Sequence, residues 1–333
     1  MDIRNRRELL QEADEAIENA SYDPKRLMLI HTAVAVGASA LVTLLGFLLT
    51  RQIDATGGLA GLGLRAVLET VQSLLDTAVL LTLPVWEIGV LFAALQISRG
   101  KASGPRTLAE GFRRFFPVVR LLLLEVLLYA GVALVCCYAG AMLYMLTPLS
   151  APMVEAVAPL VEQITTTAQM EALMADEAFI QQIMSYANTM FVVMALLCAI
   201  VLVPMFYRLR LARYLILDVP GMGALAAMTL SGRMTRGNKL ALFQLDLRFW
   251  WFYVLQAVAV ALGMGTELLS LAGITLPLSP DAVFWLFYGI YAAAQLVLYT
   301  LARAKVEVTF AAAYDSLRQT QPQLAGTNEN TLG

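Results

Sequence analysis

Residues 231–255 read SGRMTRGNKLALFQLDLRFWWFYVL. Arg233, Arg236 and Lys239 lead into an apolar run, Asp246 and Arg248 stand at its mouth, and Trp250 and Trp251 follow. This is the order a helix needs when it enters a lipid bilayer. Basic groups rest on the anionic leaflet, indoles settle at headgroup level, and a long arginine reaches back towards water. Asp246 and Arg248 are two residues apart, so both can stay near the interface. A charge there costs less than the several kcal/mol it costs at the bilayer midplane.

The remainder of the chain has the same character. Of its 333 residues 59% are hydrophobic and 14% charged, with a mean hydropathy of +0.70; soluble domains carry about 25% charged residues. Six runs approach the roughly 20 residues that span a bilayer as helix: about 27–50, 76–97 (extended outward from near Leu64), 117–146, 189–211, 245–271 and 282–302. Of the 23 lysines and arginines, all but Arg51 and Arg65 fall in the N-terminal segment, the 99–120 and 208–248 connections and the C-terminal stretch. The 147–188 loop has no basic residue but carries Glu155, Glu162, Glu171, Asp176 and Glu177. Basic residues gather in cytoplasmic loops, so both termini are expected in the cytoplasm and the 147–188 loop outside.

Three segments complete the expected organisation. Residues 1–24 form an amphipathic cytoplasmic helix with Ile3, Leu10, Ala13 and Ile17 on one face, and are too charged for a signal peptide. Residues 25–318 form the membrane domain, including an amphipathic cytoplasmic segment at 217–244. Residues 319–333 are polar and Gly/Pro-containing, and are expected to be a disordered tail. The fold class expected is all-α: a polytopic helical membrane protein of about six spans.

Several motifs resemble those of an uncharacterised bacterial integral-membrane family, domain of unknown function number 975. The family signature is similar to Gly237, Asn238 and Lys239, then Phe243, Leu245, Asp246 and Leu247, then Phe249 and Trp250 or Trp251. RRELLQEADEAI (6–17), PVWEIGVLFAALQISRG (84–100), LAEGFRRF (108–115) and FAAAYDSL (310–317) resemble other family segments. Arg248 departs from the pattern, where a small polar residue is expected. The resemblance implies a six-span fold, distantly like the membrane portion of some glycerophosphodiester phosphodiesterases, in a bacterial cytoplasmic membrane. It implies no activity.

Ionisable groups within spans are the candidate polar site. Glu87 lies mid-span beside Pro84 and Trp86, and Glu69, Asp76 and Glu87 are seven and eleven residues apart, on one helical face. They would form a polar seam leading inward from outside, with Glu87 a proton or cation site. The structural alternative pairs Glu87 with an inward-facing arginine such as Arg120 or Arg208. Glu125 in the third span is the second candidate, and Glu267 is expected to meet water.

Gly237, Asn238, Lys239, Asp246, Arg248 and Trp250 make up an interfacial motif. Cys136, Cys137 and Cys198 lack histidine partners, and His31 stands alone, so no metal site or cofactor is expected. No Walker loop, HExxH or GxSxG motif occurs, so an enzyme is not expected. Topology explains the basic patches without nucleic acid. The expected function is that of a membrane protein of unknown activity contacting lipids or other envelope proteins; the alternative is a small secondary transporter using Glu87.

Overall fold

The computed structural model describes residues 6–55, 59–163, 166, 173, 175–274 and 276–320. Among these residues the chain is helical, with no strand. The principal helices are α1 (Arg6–Glu18), α2 (Pro24–Ala55), α3 (Leu59–Ser98), α4 (Phe115–Leu146), α5 (Glu177–Leu209), α6 (Trp250–Gly263), α7 (Pro280–Leu298) and α8 (Ala304–Gln319). Six stretches are long and apolar enough to cross a membrane: Pro24–Gln52, Arg65–Ser98, Phe115–Leu146, Glu177–Asp218, Lys239–Gly263 and Pro280–Gln319. They are the six runs expected. Most extend beyond the apolar core, because a helix satisfies its own backbone polar groups and need not stop where the hydrocarbon does.

Helix starts follow local chemistry. Asp23 accepts a hydrogen bond from the Lys25 backbone N–H (2.9 Å) at the head of α2, and Ser279 accepts from Ala282 N (3.3 Å) at the head of α7. In each case proline occupies the first helical position, where its missing N–H costs nothing. The fifth span is less regular than the sequence suggests. A helix at Lys239–Asp246 passes through a 3-10 turn at Leu247–Phe249 into α6, and Met264 separates α6 from a short helix at Gly265–Leu271.

The chain divides into two units, Met1–Leu122 with Leu209–Gly333, and Leu123–Arg208. In the first, α2 packs on α3, α3 on α8, α6 on α7 and α7 on α2, while α1 lies against α8 and α3. Leu9 and Ala13 are the buried residues of α1, and Asp14 reaches Lys305 of α8 (2.8 Å). In the second unit α4 and α5 approach closely at Gly140, where a Cβ would stand 2.9 Å from the Met194 Cα. Cys137 and Cys198 meet at 3.8 Å as free thiols. Large apolar side chains such as Leu134, Val135 and Ile200 are exposed, as suits helices whose solvent is hydrocarbon.

Two glycines set the packing around the site described below. A Cβ on Gly89 of α3 would lie 1.9 Å from the Leu108 carbonyl oxygen, and one on Gly111 2.2 Å from the Val85 carbonyl oxygen. The 105–113 turn therefore lies directly on the α3 backbone, on either side of Glu87 in sequence.

One expectation shifts at the C-terminal end. The C-terminal helix runs through Gln319, the first residue of the expected tail, and Thr320 N still bonds to Ser316 O (3.2 Å). The rest of that tail, residues 321–333, lies outside the described residues, as do Ile3 of the N-terminal helix and Glu171 of the acidic loop. Within that loop a helix is described at Ala151–Gln163.

Candidate functional site

Glu87 is one turn past Pro84 on α3, and its partner is neither Arg120 nor Arg208. It is Arg303, at the end of a π-helical turn, Tyr299–Arg303, that joins α7 to α8. Arg303 Nη1 donates to Glu87 Oε1 (3.3 Å) and Nη2 donates to Oε2. Arg303 Nε lies 3.5 Å from Glu307 Oε1, and the guanidinium sits 4.6 Å over the Tyr299 ring. His31 of α2 completes the group, with Nε2 3.8 Å from Glu87 Oε1. Its imidazole stacks on the Trp86 indole (5.4 Å between centroids), whose N–H donates to the His31 carbonyl oxygen (3.0 Å). A π-turn inserts one extra residue into a helix and often marks a functional position. Here it sets the orientation from which Arg303 meets Glu87.

These groups line a cavity of about 260 Å³. Its walls come from α2 (Thr32, Ser39, Thr43), α3 (Leu83, Glu87), α6 (Gln256), α7 (Tyr288, Tyr291, Gln295) and the π-turn (Tyr299, Arg303). Ala35, Val36 and Leu83 supply apolar patches between these polar groups, and several of the buried polar atoms are unmatched. Both His31 ring nitrogens, Gln256 Oε1 and Gln295 Nε2 have no hydrogen-bond partner in the described structure. His31 is 1% exposed and Gln295 5%. Leaving such atoms unpaired costs about 1–3 kcal/mol each, so this arrangement works against stability.

The expected seam of Glu69, Asp76 and Glu87 separates into two places. Glu69 and Asp76 line another cavity, of about 490 Å³, between α2 and α3 with Gln72, Ser73 and Thr77. There Arg65 Nε donates to Glu69 (2.8 Å) and Gln72 Nε2 to Asp76 (3.1 Å). Glu87 is absent from that lining. Helical phase alone aligned the three; the inward packing of α3 against α2 and the π-turn divides them. Glu125 is 3% exposed, in the second unit. Glu267 is exposed, and the Thr266 hydroxyl donating to its carboxylate (2.7 Å) holds its pKa below the usual value.

The interfacial motif is also rearranged. Asp246 does not stay beside Arg248 at a wet interface; it is buried (8% exposed), accepts a hydrogen bond from Arg210, and accepts another from the Tyr253 hydroxyl (2.7 Å). Arg210 in turn lies 3.4 Å over the Phe310 ring. Trp250 is 61% exposed and Arg248 is exposed. Lys239 heads its helix, Gly237 takes the positive φ of +83° that ends the preceding turn, and Asn238 is buried with Nδ2 unpaired.

A second charged cluster stands where α3 ends. Arg99 bridges Asp218 (2.6 and 2.9 Å) and Asp315 (2.6 and 2.9 Å). Tyr314 donates to Asp218 (2.9 Å), as does Arg318, and Arg114 caps the Ile216 and Leu217 carbonyls (3.1 and 2.5 Å). The hydrogen bonds to Asp315 raise the Arg99 pKa further above its ordinary value. This clamp ties α3, the Ala212–Asp218 helix and α8 together.

The family model described as "Protein of unknown function (DUF975)" matches residues 1–301. The chain belongs to the DUF975 family. The DUF975 match covers the quoted signature and Glu87 but stops two residues before Arg303, and the 310–317 resemblance lies beyond it. No curated protein and no solved structure matches this DUF975 chain.

Sequence reasoning missed Arg303, His31, Gln256 and Gln295 as site residues. One signal was available. Tyr288, Tyr291, Gln295, Tyr299 and Arg303 follow at spacings of three, four, four and four, a polar stripe along a span where such residues should be rare.

Proposed function

We propose that this DUF975 protein binds a small polar solute in the Glu87–Arg303 chamber and acts as a small secondary transporter, without enzymatic chemistry. The observation that supports it is the polar cavity among apolar spans, with a charged pair on its wall and buried polar atoms left for a guest to satisfy. A purely structural ion pair would be expected against packed apolar side chains, with no cavity beside it. The positive-inside distribution of lysine and arginine supports a bacterial cytoplasmic membrane with both termini inside.

Cysteine accessibility tests this reading. In a background with Cys136, Cys137 and Cys198 changed to alanine, Ser39→Cys on the chamber wall should react with a water-soluble thiol reagent. Leu41→Cys, a position whose native leucine is 58% exposed on the outer surface, should not. Equal protection of both positions would leave Glu87 a structural residue.

A second reading, lipid contact at the interface, is supported by the exposed Trp250 and Arg248. Indole and guanidinium side chains there anchor a span at headgroup level. Arg248→Ala with Trp250→Ala should weaken co-purification of anionic phospholipid. Unchanged lipid content would end this second reading.

A further inference from the structure

The chamber does not present its charges evenly. Of the Glu87 side chain 39% remains accessible, against 10% for Arg303, and Arg303 is further occupied by Glu307 and the Tyr299 ring. Arg213 lies within electrostatic reach of Glu87 but does not line the cavity. The cationic partners are therefore committed or set back, and the charge offered to a guest is a carboxylate. Tyr288 and Tyr291 line the same cavity, and aromatic rings attract cations, organic ammonium groups among them. Gln256 Oε1 is an unused acceptor for an N–H donor, and Gln295 Nε2 is an unused donor 5% exposed in the same cavity. A volume of about 260 Å³ is below the roughly 300–1,000 Å³ of pockets for drug-sized ligands.

Resting on the chamber reading above, we infer that the solute is a small ammonium compound carrying an oxygen acceptor, of the amino-alcohol or amino-acid kind. Its ammonium group lies against Glu87, Tyr288, Tyr291 and Gln256, and its oxygen accepts from Gln295. Arg303 holds Glu87 in place from behind, so the carboxylate keeps its position whether or not the chamber is filled. The arginine in this lining, Arg303, is already paired with Glu87 and Glu307. Anionic guests such as phosphate esters are thus poor matches to this lining.

Thermal unfolding of the full chain in detergent, followed by tryptophan fluorescence, tests the class. The probes are ethanolamine, choline and glycine, against acetate and glycerol at matched ionic strength. A site occupied well above its Kd should raise Tm by about 2–4 °C. At least one ammonium probe should do so in the wild type, acetate and glycerol should not, and the shift should vanish in Glu87→Gln. Should that variant fail to fold, Gln295→Leu, which leaves the ion pair intact, should reduce the shift. No shift with any ammonium probe, an equal shift with acetate or glycerol, or a shift undiminished in both variants would overturn the inference. The outcomes separate from those of the chamber reading: a reactive Ser39→Cys with no ammonium effect removes the ligand class alone, whereas an unreactive Ser39→Cys removes both.

Discussion

The Arg99 clamp and the Glu87 chamber are built from similar parts, twelve residues apart along α3, or about 18 Å at 1.5 Å per residue. In each an arginine bridges two carboxylates contributed by other elements, beside tyrosines of the C-terminal helices. The clamp closes on itself: Asp218 accepts from Arg99, Arg318 and Tyr314, and Asp315 takes the remaining Arg99 donors. The chamber does not close. Arg303 engages Glu87 and Glu307, but His31, Gln256 and Gln295 are left with unmatched atoms around open volume. Where a fold can satisfy its charges locally, the result is a fastener; where satisfaction is left incomplete beside a cavity, a guest can supply the rest.

Substitutions should separate the two regions by size and kind of effect. The largest is expected in the clamp. Arg99→Ala removes the cation that Asp218 and Asp315 share, and because Asp218 keeps Arg318 and Tyr314 the cost should be about 2–4 kcal/mol of unfolding free energy, measured by denaturation in mixed micelles. Next comes Gly89→Ala, whose methyl would meet the Leu108 carbonyl; a cost of about 1–3 kcal/mol is expected from overpacking, with Glu87 displaced and any solute binding weakened. Wild-type stability in that variant would mean the 105–113 turn does not rest on α3.

Glu87→Gln should sit lower on the scale, at about 1–2 kcal/mol, because Arg303 retains Glu307. Its main consequence should be loss of ammonium binding, read as the missing Tm shift. Gln256→Leu inverts the usual direction. Replacing an unpaired buried acceptor with an apolar group should leave stability unchanged or raise it by about 1 kcal/mol, while weakening binding. A clear loss of stability there would show that Gln256 is satisfied within the fold and that the chamber resembles the clamp after all. Arg248→Ala, outside both regions, should change stability by less than about 0.5 kcal/mol.

The legible and hidden parts of this molecule follow the range of the interactions. The six spans could be read from apolar run length and charge distribution, because both act through the solvent and need no knowledge of neighbours. Glu87 was legible for the same reason: a lone acid far from either end of a span is conspicuous. Its partner was not. Arg303 is 216 positions away and sits just past an apolar run, where it reads as one more flanking basic residue until the π-turn is seen to carry it inward. The partner of Asp246 was hidden in the same way, since Arg210 is 36 positions away. The phase alignment of Glu69, Asp76 and Glu87 was correct as helix geometry, but only packing decides which neighbours each stretch of that face meets.

Native mass spectrometry of the wild type and Glu87→Gln, released from gentle detergent, tests the central claim most directly. The account predicts a small-molecule adduct on the wild type, of a mass fitting an ammonium compound, that is absent from the variant. Phospholipid alone, in equal amount on both proteins, would contradict it and make the Glu87–Arg303 pair a second clamp.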